Sequence, residues 1–209
     1  VPSITQRVSF TQEYMNHAHG ATLGWWNHTK EDGLDKCDPD ILVEDTQASL
    51  QLIYDLATLE LLPYDFTDKL VQFRTKAEKL AEQYKKNMDF SDLLNNLAHA
   101  ERAVLQVQGR KESCHGEKAQ RYNDFVKEIS RQITNVTMTY TDKYAQDSYG
   151  FSKLSAPIPL FADLPRLNTL DSDSLEYGLL QAQLIKNKNR INDSLFIIIR
   201  LAELYSALL

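Results

Sequence analysis

The sequence predicts a mainly α protein: an antiparallel helical bundle over residues 39–209, preceded by a short N-terminal β-strand and a loop over residues 1–38. Three observations predict it. Long segments repeat apolar residues at helical spacing and are joined by short links. The breaks between them fall on helix-starting and helix-stopping residues, Asp38-Pro39, Pro63 and Gly109. Residues 1–10 lean towards β, with Ile4 and Val8 apolar among Arg7 and Ser9.

Taken in order, residues 11–36 lose all periodicity and gather Gly, Asn, His and Asp, which reads as a long loop with a short strand at 23–26. Asp38 then caps a helix with Pro39 at its first position. Val43, Leu50, Ile53, Tyr54, Ala57 and Leu61 keep helical spacing to Leu62, and Pro63 ends the run. A second helix, capped by Asp65 or Thr67, turns Leu70, Phe73, Ala77, Leu80, Ala81 and Tyr84 to one face.

The third runs over about 90–108, with Leu93, Leu94, Leu97, Ala100 and Val104 inward and Gly109 as its stop. The fourth starts near Glu117, buries Tyr122, Phe125, Val126, Ile129, Ile133 and Val136, and reaches the 140–144 region. Gly150, Pro157, Pro159 and Pro165 break the next stretch into a loop laid across the bundle, anchored by Ile158, Leu160, Phe161 and Leu164. From residue 175 a last helix carries the stripe Leu184, Ile191, Leu195, Ile198, Ala202, Tyr205 and Leu209. That stripe suits the centre of the bundle or half of a subunit interface.

Composition narrows the function classes. The hydrophobic fraction of 43% with 25% charged residues is that of a globular chain. A net charge of −6 without a basic stripe argues against a nucleic-acid surface. No apolar run approaches the ~20 residues of a membrane span. Cys37 and Cys114 stand far apart and read as two free thiols. Three glycosylation sequons, at Asn27, Asn135 and Asn192, are weak evidence of secretion. The first residues, Val1-Pro2-Ser3-Ile4, read as the middle of a strand, as in a fragment or processed product.

The chemistry concentrates in Gly24-Trp25-Trp26-Asn27-His28-Thr29-Lys30-Glu31-Asp32-Gly33-Leu34-Asp35-Lys36. His28 is a candidate metal ligand through a neutral imidazole nitrogen, and Asp32 and Asp35 are acids at helix-turn spacing. The blander reading makes those acids turn and capping residues near a helix start. His17 and His19 form a His-x-His pair that on a strand would point to one face. Trp26 and Asn27 are candidate substrate contacts, with one Trp of the pair expected in the core. Cys114-His115 lacks a third orienting group, so it makes a poor catalytic dyad. No Gly-rich phosphate loop is present.

Two of these motifs resemble the C-terminal part of the zinc-dependent M28 peptidases, the group that holds aminopeptidases, glutamate carboxypeptidase-like enzymes and the non-catalytic transferrin receptors. Asn27-His28-Thr29-Lys30-Glu31-Asp32, following a strand-like start, is similar to the family's late His-Thr-x-x-Asp stretch. Leu61-Leu62-Pro63-Tyr64-Asp65-Phe66 is similar to the turn that introduces the family's helical dimerisation domain. The resemblance implies that His28 is the last ligand of a two-zinc site. It also implies that residues 1–38 close an α/β peptidase domain and that residues 39–209 form a helical domain pairing the protein as a homodimer.

The implied partners are the upstream part of the same peptidase, a second copy and a peptide substrate, with no nucleic acid and no membrane span. The catalytic Glu and most metal ligands of such a site lie outside this chain, which holds no catalytic residue of its own and is expected to be inactive alone. Asn27 stands where many relatives carry Tyr, which puts that residue's role in doubt. The alternative is a non-catalytic binding or dimerisation module of the receptor type.

Overall fold

The computed structural model describes residues 11–17, 24–141 and 156–209. The expected strand over residues 1–10 and the loop over 145–155 therefore lie outside the described residues, as does His19. What is described is mainly helical, with no strand among the described residues. The chain divides into two compact units, Val1–Leu59 and Glu60–Leu209.

In the first unit, α1 is a short helix, Gln12–His17, and a 3-10 turn covers Leu34–Lys36. The strand expected at 23–26 is absent, because residues 25–28 form a turn in which the Asn27 amide donates to the Gly24 carbonyl at 3.2 Å. Helix α2 spans Pro39–Thr58. Its start is the expected one: the Asp38 carboxylate accepts the Asp40 and Ile41 amides at 2.9 and 3.2 Å, and Pro39 sits where no amide is needed. Its end comes earlier than the expected Leu62, at Thr58. Pro63 is therefore not the stop, and the boundary between units at Leu59 groups α2 with the first unit instead of with the bundle.

Among the described residues the second unit is a bundle of four helices: α3, Thr67–Tyr84; α4, Ser91–Gln108; α5, Glu117–Thr137; and α6, Leu175–Leu208. The apolar stripes expected from spacing form its core. Leu70, Phe73 and Ala77 of α3, Leu93, Leu97 and Val104 of α4, Tyr122, Phe125 and Ile129 of α5, and Leu184, Ile191, Leu195 and Ile198 of α6 are all buried. The C-terminal helix is the central one, packing on both α4 and α5. Ile158, Leu160, Phe161 and Leu164 are buried as expected, in two 3-10 turns over Pro159–Phe161 and Leu164–Asn168. The Asn187 amide on α6 donates to the Leu160 carbonyl at 2.7 Å.

Polar contacts fix directions that an apolar pattern leaves open. Asn96 donates to Asn192 at 3.0 Å, Asn192 donates to Asp92 at 2.9 Å, and Lys188 reaches both Asp92 and the Asp89 carbonyl at 2.8 and 2.9 Å. Partner numbers rise together along α4 and α6, so these two helices run parallel. Helices α3 and α5 run against them: Arg74 bonds Glu101 at 2.8 Å, and Phe125 packs on Tyr205 with ring centroids 5.6 Å apart. Asn192 is 7% exposed. A leucine there removes one partner each from half-buried Asn96 and from Asp92, which stays exposed and keeps Lys188.

Residues 60–67 do not run free between the units. Asn123 of α5 accepts the Leu62 amide and donates to the Glu60 carbonyl, both at 2.8 Å. Buried Gln108 of α4 accepts the Phe66 amide at 3.0 Å and donates to the Tyr64 carbonyl at 3.1 Å. The Glu60 carboxylate accepts the Gly116 amide at 2.7 Å, at the start of α5, with His115 Nδ1 at 3.4 Å. At the same end of the bundle, Arg110, Lys118 and Arg121 donate to the carbonyls of Ser206, Leu209 and Leu208, where the C-terminal dipole of α6 favours cations.

Two outcomes follow. Asn192→Leu lowers unfolding free energy by about 0.5–1.5 kcal/mol in urea titration, despite being the more apolar residue. The bond from Gly116 holds the Glu60 carboxyl below its ordinary 4.5, and the His115 contact adds to this. Such a group stabilises above its unfolded value and stops doing so as pH falls through its lower folded value. Protection of the Gly116 amide, measured relative to the intrinsic exchange rate at the same pH, therefore falls on acidification below 4.5, ahead of the α4–α6 core.

Candidate functional site

The loop over residues 24–36 is built from overlapping turns. Gly24 takes φ +87°, a left-handed conformation that glycine adopts without strain, and the Trp26 ring folds over it. A Cβ at Gly24 would sit 2.5 Å from that ring. Trp25 meets Trp26 edge to face, with centroids 5.9 Å apart and planes at 85°. Trp25 is 62% exposed and Trp26 only half-buried. Neither enters a core, which corrects the expectation that one of the pair would.

His28 follows at φ +63°, and among the described residues no other non-glycine has positive φ. The conformation is held by its own loop. The His28 amide donates to the Asp32 carboxylate at 3.2 Å, the Thr29 amide to the Trp26 carbonyl at 2.9 Å, and the Thr29 hydroxyl to the same carbonyl at 2.7 Å. This presents the His28 side chain as an exposed group at the turn, next to half-buried Asn27. Asp32 thus closes the loop around His28 as a turn residue. Asp35 pairs with Lys36, whose hydrogen bond draws the Asp35 carboxyl below its ordinary value. The helix cap is Asp38, not either of the two.

The other candidates are spread out. His17 ends α1, and its Nδ1 lies 2.9 Å from the Glu13 carbonyl, so the described half of the His-x-His pair stands on a helix and not on a strand. Among the described residues no group of three or more His, Cys, Asp or Glu is placed to hold one metal ion. A catalytic zinc takes about three protein ligands. The described residues place His28 as a single exposed imidazole and do not complete a zinc site. Cys37 is exposed and Cys114 buried, with the Cys114 thiol donating to the Arg110 carbonyl at 3.3 Å. His115 turns to Glu60, so Cys114 and His115 form no dyad.

The polar groups that sequence reading missed are Gln108, Asn123, Asn192 and Arg190. The guanidinium of Arg190 donates to the Asn135 carbonyl and side chain at 3.1 and 2.9 Å and to the Thr139 hydroxyl at 3.0 Å. They organise the bundle and make no reaction centre. The one signal for them was a polar residue at core spacing, such as Asn192 beside Ile191. Two of the three sequon asparagines, Asn135 and Asn192, are thereby engaged inside the bundle.

No protein-family model, curated protein or solved structure matches this chain. The resemblance to the M28 peptidases rests on the quoted motifs.

Gly24→Ala tests the loop geometry. The added methyl displaces the Trp26 ring, so tryptophan fluorescence and near-ultraviolet dichroism change while far-ultraviolet helicity stays within a few per cent, at a cost of about 1 kcal/mol locally.

Proposed function

We propose that this chain is the C-terminal portion of a zinc-dependent, aminopeptidase-like metallopeptidase, supplying the last metal ligand and a helical module that pairs the protein as a homodimer. The observation that carries the pairing is a second apolar seam on α6. One seam, from Leu184 to Ala202, is buried in the bundle. The other is Ile197, Leu201, Leu204 and Leu208, at successive spacings of four, three and four residues. In it Ile197 is 44%, Leu204 55% and Leu208 41% exposed. A helix apolar on two sides is suited to burial on both. A self-complementary stripe at coiled-coil spacing suits a two-fold pairing.

The peptidase part of the reading rests on the motif resemblance and on the exposure of His28. An imidazole turned outward by a strained turn is free to serve a site built mainly by other residues. Zinc in such a site activates a water molecule for peptide hydrolysis. In this chain Asp32 holds the backbone of the ligand-bearing turn, and the Trp pair offers an apolar surface to a peptide. A second reading, the non-catalytic receptor-type module, is favoured by Asn27 standing where the resemblance calls for Tyr. An upstream sequence with a His, two Asp and adjacent Glu residues separates the two.

In sedimentation velocity the chain runs as a dimer at micromolar concentration, and Leu204→Glu weakens the dimer at least ~10-fold, because a charge enters an apolar contact. A chain that stays monomeric at high concentration refutes the pairing. With added zinc the isolated chain hydrolyses no aminoacyl substrate, and hydrolysis would overturn the assignment of its role.

A further inference from the structure

Helix α2 is twenty residues long, and none of them is buried. On a helical wheel Leu42, Leu50 and Ile53 form the middle of an apolar arc, with Tyr54 towards one edge and Ile41 and Leu52 at the other. The arc spans roughly 220° of the wheel, far more than a surface helix needs to sit on a core. Leu42 is 59%, Leu50 65% and Ile53 64% exposed. The helix is nonetheless well started, by Asp38 and Pro39. Its exposed apolar face is thus a surface to be covered, and not a failed helix.

Charge says what covers it. The stretch between Lys36 and Lys69 contains no Lys or Arg but eight acids, and residues 1–59 carry nine acids against three bases, which is the whole net charge of −6. Glu44 and Asp55 lie on the back of α2, away from the arc. Asp45 does not: it falls one turn after Ile41 and two turns before Leu52, inside the apolar flank. It makes no ion pair among the described residues. Its helical neighbours one turn away, Ile41, Leu42, Ala48 and Ser49, offer no cation. Covering the arc therefore removes the Asp45 carboxylate from water, which is costly unless the cover supplies a partner charge.

We propose that α2 is a docking helix whose apolar arc is covered by a protein surface presenting a lysine or arginine opposite Asp45. A second α2 face brings no cation of its own, and nucleic acid or an anionic lipid surface is repelled by the acids. The inference rests on the reading above for the identity of the cover, the α/β domain that residues 1–38 would close. The chemistry of the cover follows from α2 itself.

The test uses the whole chain and two labelled amphipathic helical peptides of equal hydrophobicity, one of Leu and Lys, the other of Leu and Glu, in fluorescence anisotropy. The Leu/Lys peptide binds, and binding weakens as salt rises. Leu50→Ser with Ile53→Ser weakens it about tenfold, as loss of a central apolar anchor does. Asp45→Asn weakens it roughly fivefold and flattens the salt dependence, whereas Asp55→Asn on the back of the helix changes it less than about twofold. All variants keep the parent far-ultraviolet spectrum. Leu204→Glu leaves peptide binding unchanged, which keeps this result separate from the α6 dimer. Absent binding of the Leu/Lys peptide, equal binding of the Leu/Glu peptide, or equal effects of Asp45→Asn and Asp55→Asn overturn the proposal. So does a dimer that dissociates when Leu50 and Ile53 are replaced, since the cover would then be a second copy.

Discussion

The arrangement of the bundle depends on the polar clasp between α4 and α6. Asp92, Asn96, Lys188 and Asn192 bond one another in a seam that is otherwise apolar. Leucine and isoleucine contacts tolerate sliding by a turn at modest cost, whereas these bonds are satisfied in one register only. Two helices far apart in sequence are thereby paired in parallel. The turns at Pro159–Phe161 and Leu164–Asn168 are pinned against α6, where Asn187 donates to the Leu160 carbonyl. Arg190, bonded to the last turns of α5, sets the third helix against the same central one.

A second set of bonds governs how the bundle receives the chain. Residues 60–66 form no regular element, so their backbone groups need partners from elsewhere. Gln108 and Asn123 provide them, and the Glu60 carboxylate sits on the start of α5. Amide side chains suit this because each can donate and accept at once. The segment that reads from sequence as a proline-stopped helix end is therefore an ordered strap belonging to the bundle, while α2 belongs with the residues before it.

Two helices carry more apolar surface than the described structure covers. On α6 the surplus is a narrow seam at coiled-coil spacing, the shape that fits another helix. On α2 it is a broad arc containing one acid, the shape that fits a layer with a cation in it. A narrow uncharged seam and a broad one holding a carboxylate differ in what could cover them, since burying a lone charge is costly. The His28 turn presents a single exposed imidazole, with no group of three or more His, Cys, Asp or Glu placed to hold a metal ion among the described residues.

Sequence by itself determined the helices of the bundle, because apolar residues at 3.6 spacing can be satisfied only by a shared core: Leu93, Leu97, Ile129, Leu195 and Ile198 all lie where their spacing put them. It also determined the cap at Asp38 and the stop at Gly109, which depend on neighbours a few residues away. It marked out His28 as the residue to watch. Only the tertiary structure decided the parallel pairing of α4 with α6, the strap over residues 60–67 and the exposure of α2 and Trp25. Those depend on bonds such as Asn96 to Asn192 and Asn123 to Leu62, whose partners stand 96 and 61 residues apart. Local spacing carries no record of such a distance, so the same periodicity accompanies a buried Leu195 on α6 and an exposed Ile53 on α2.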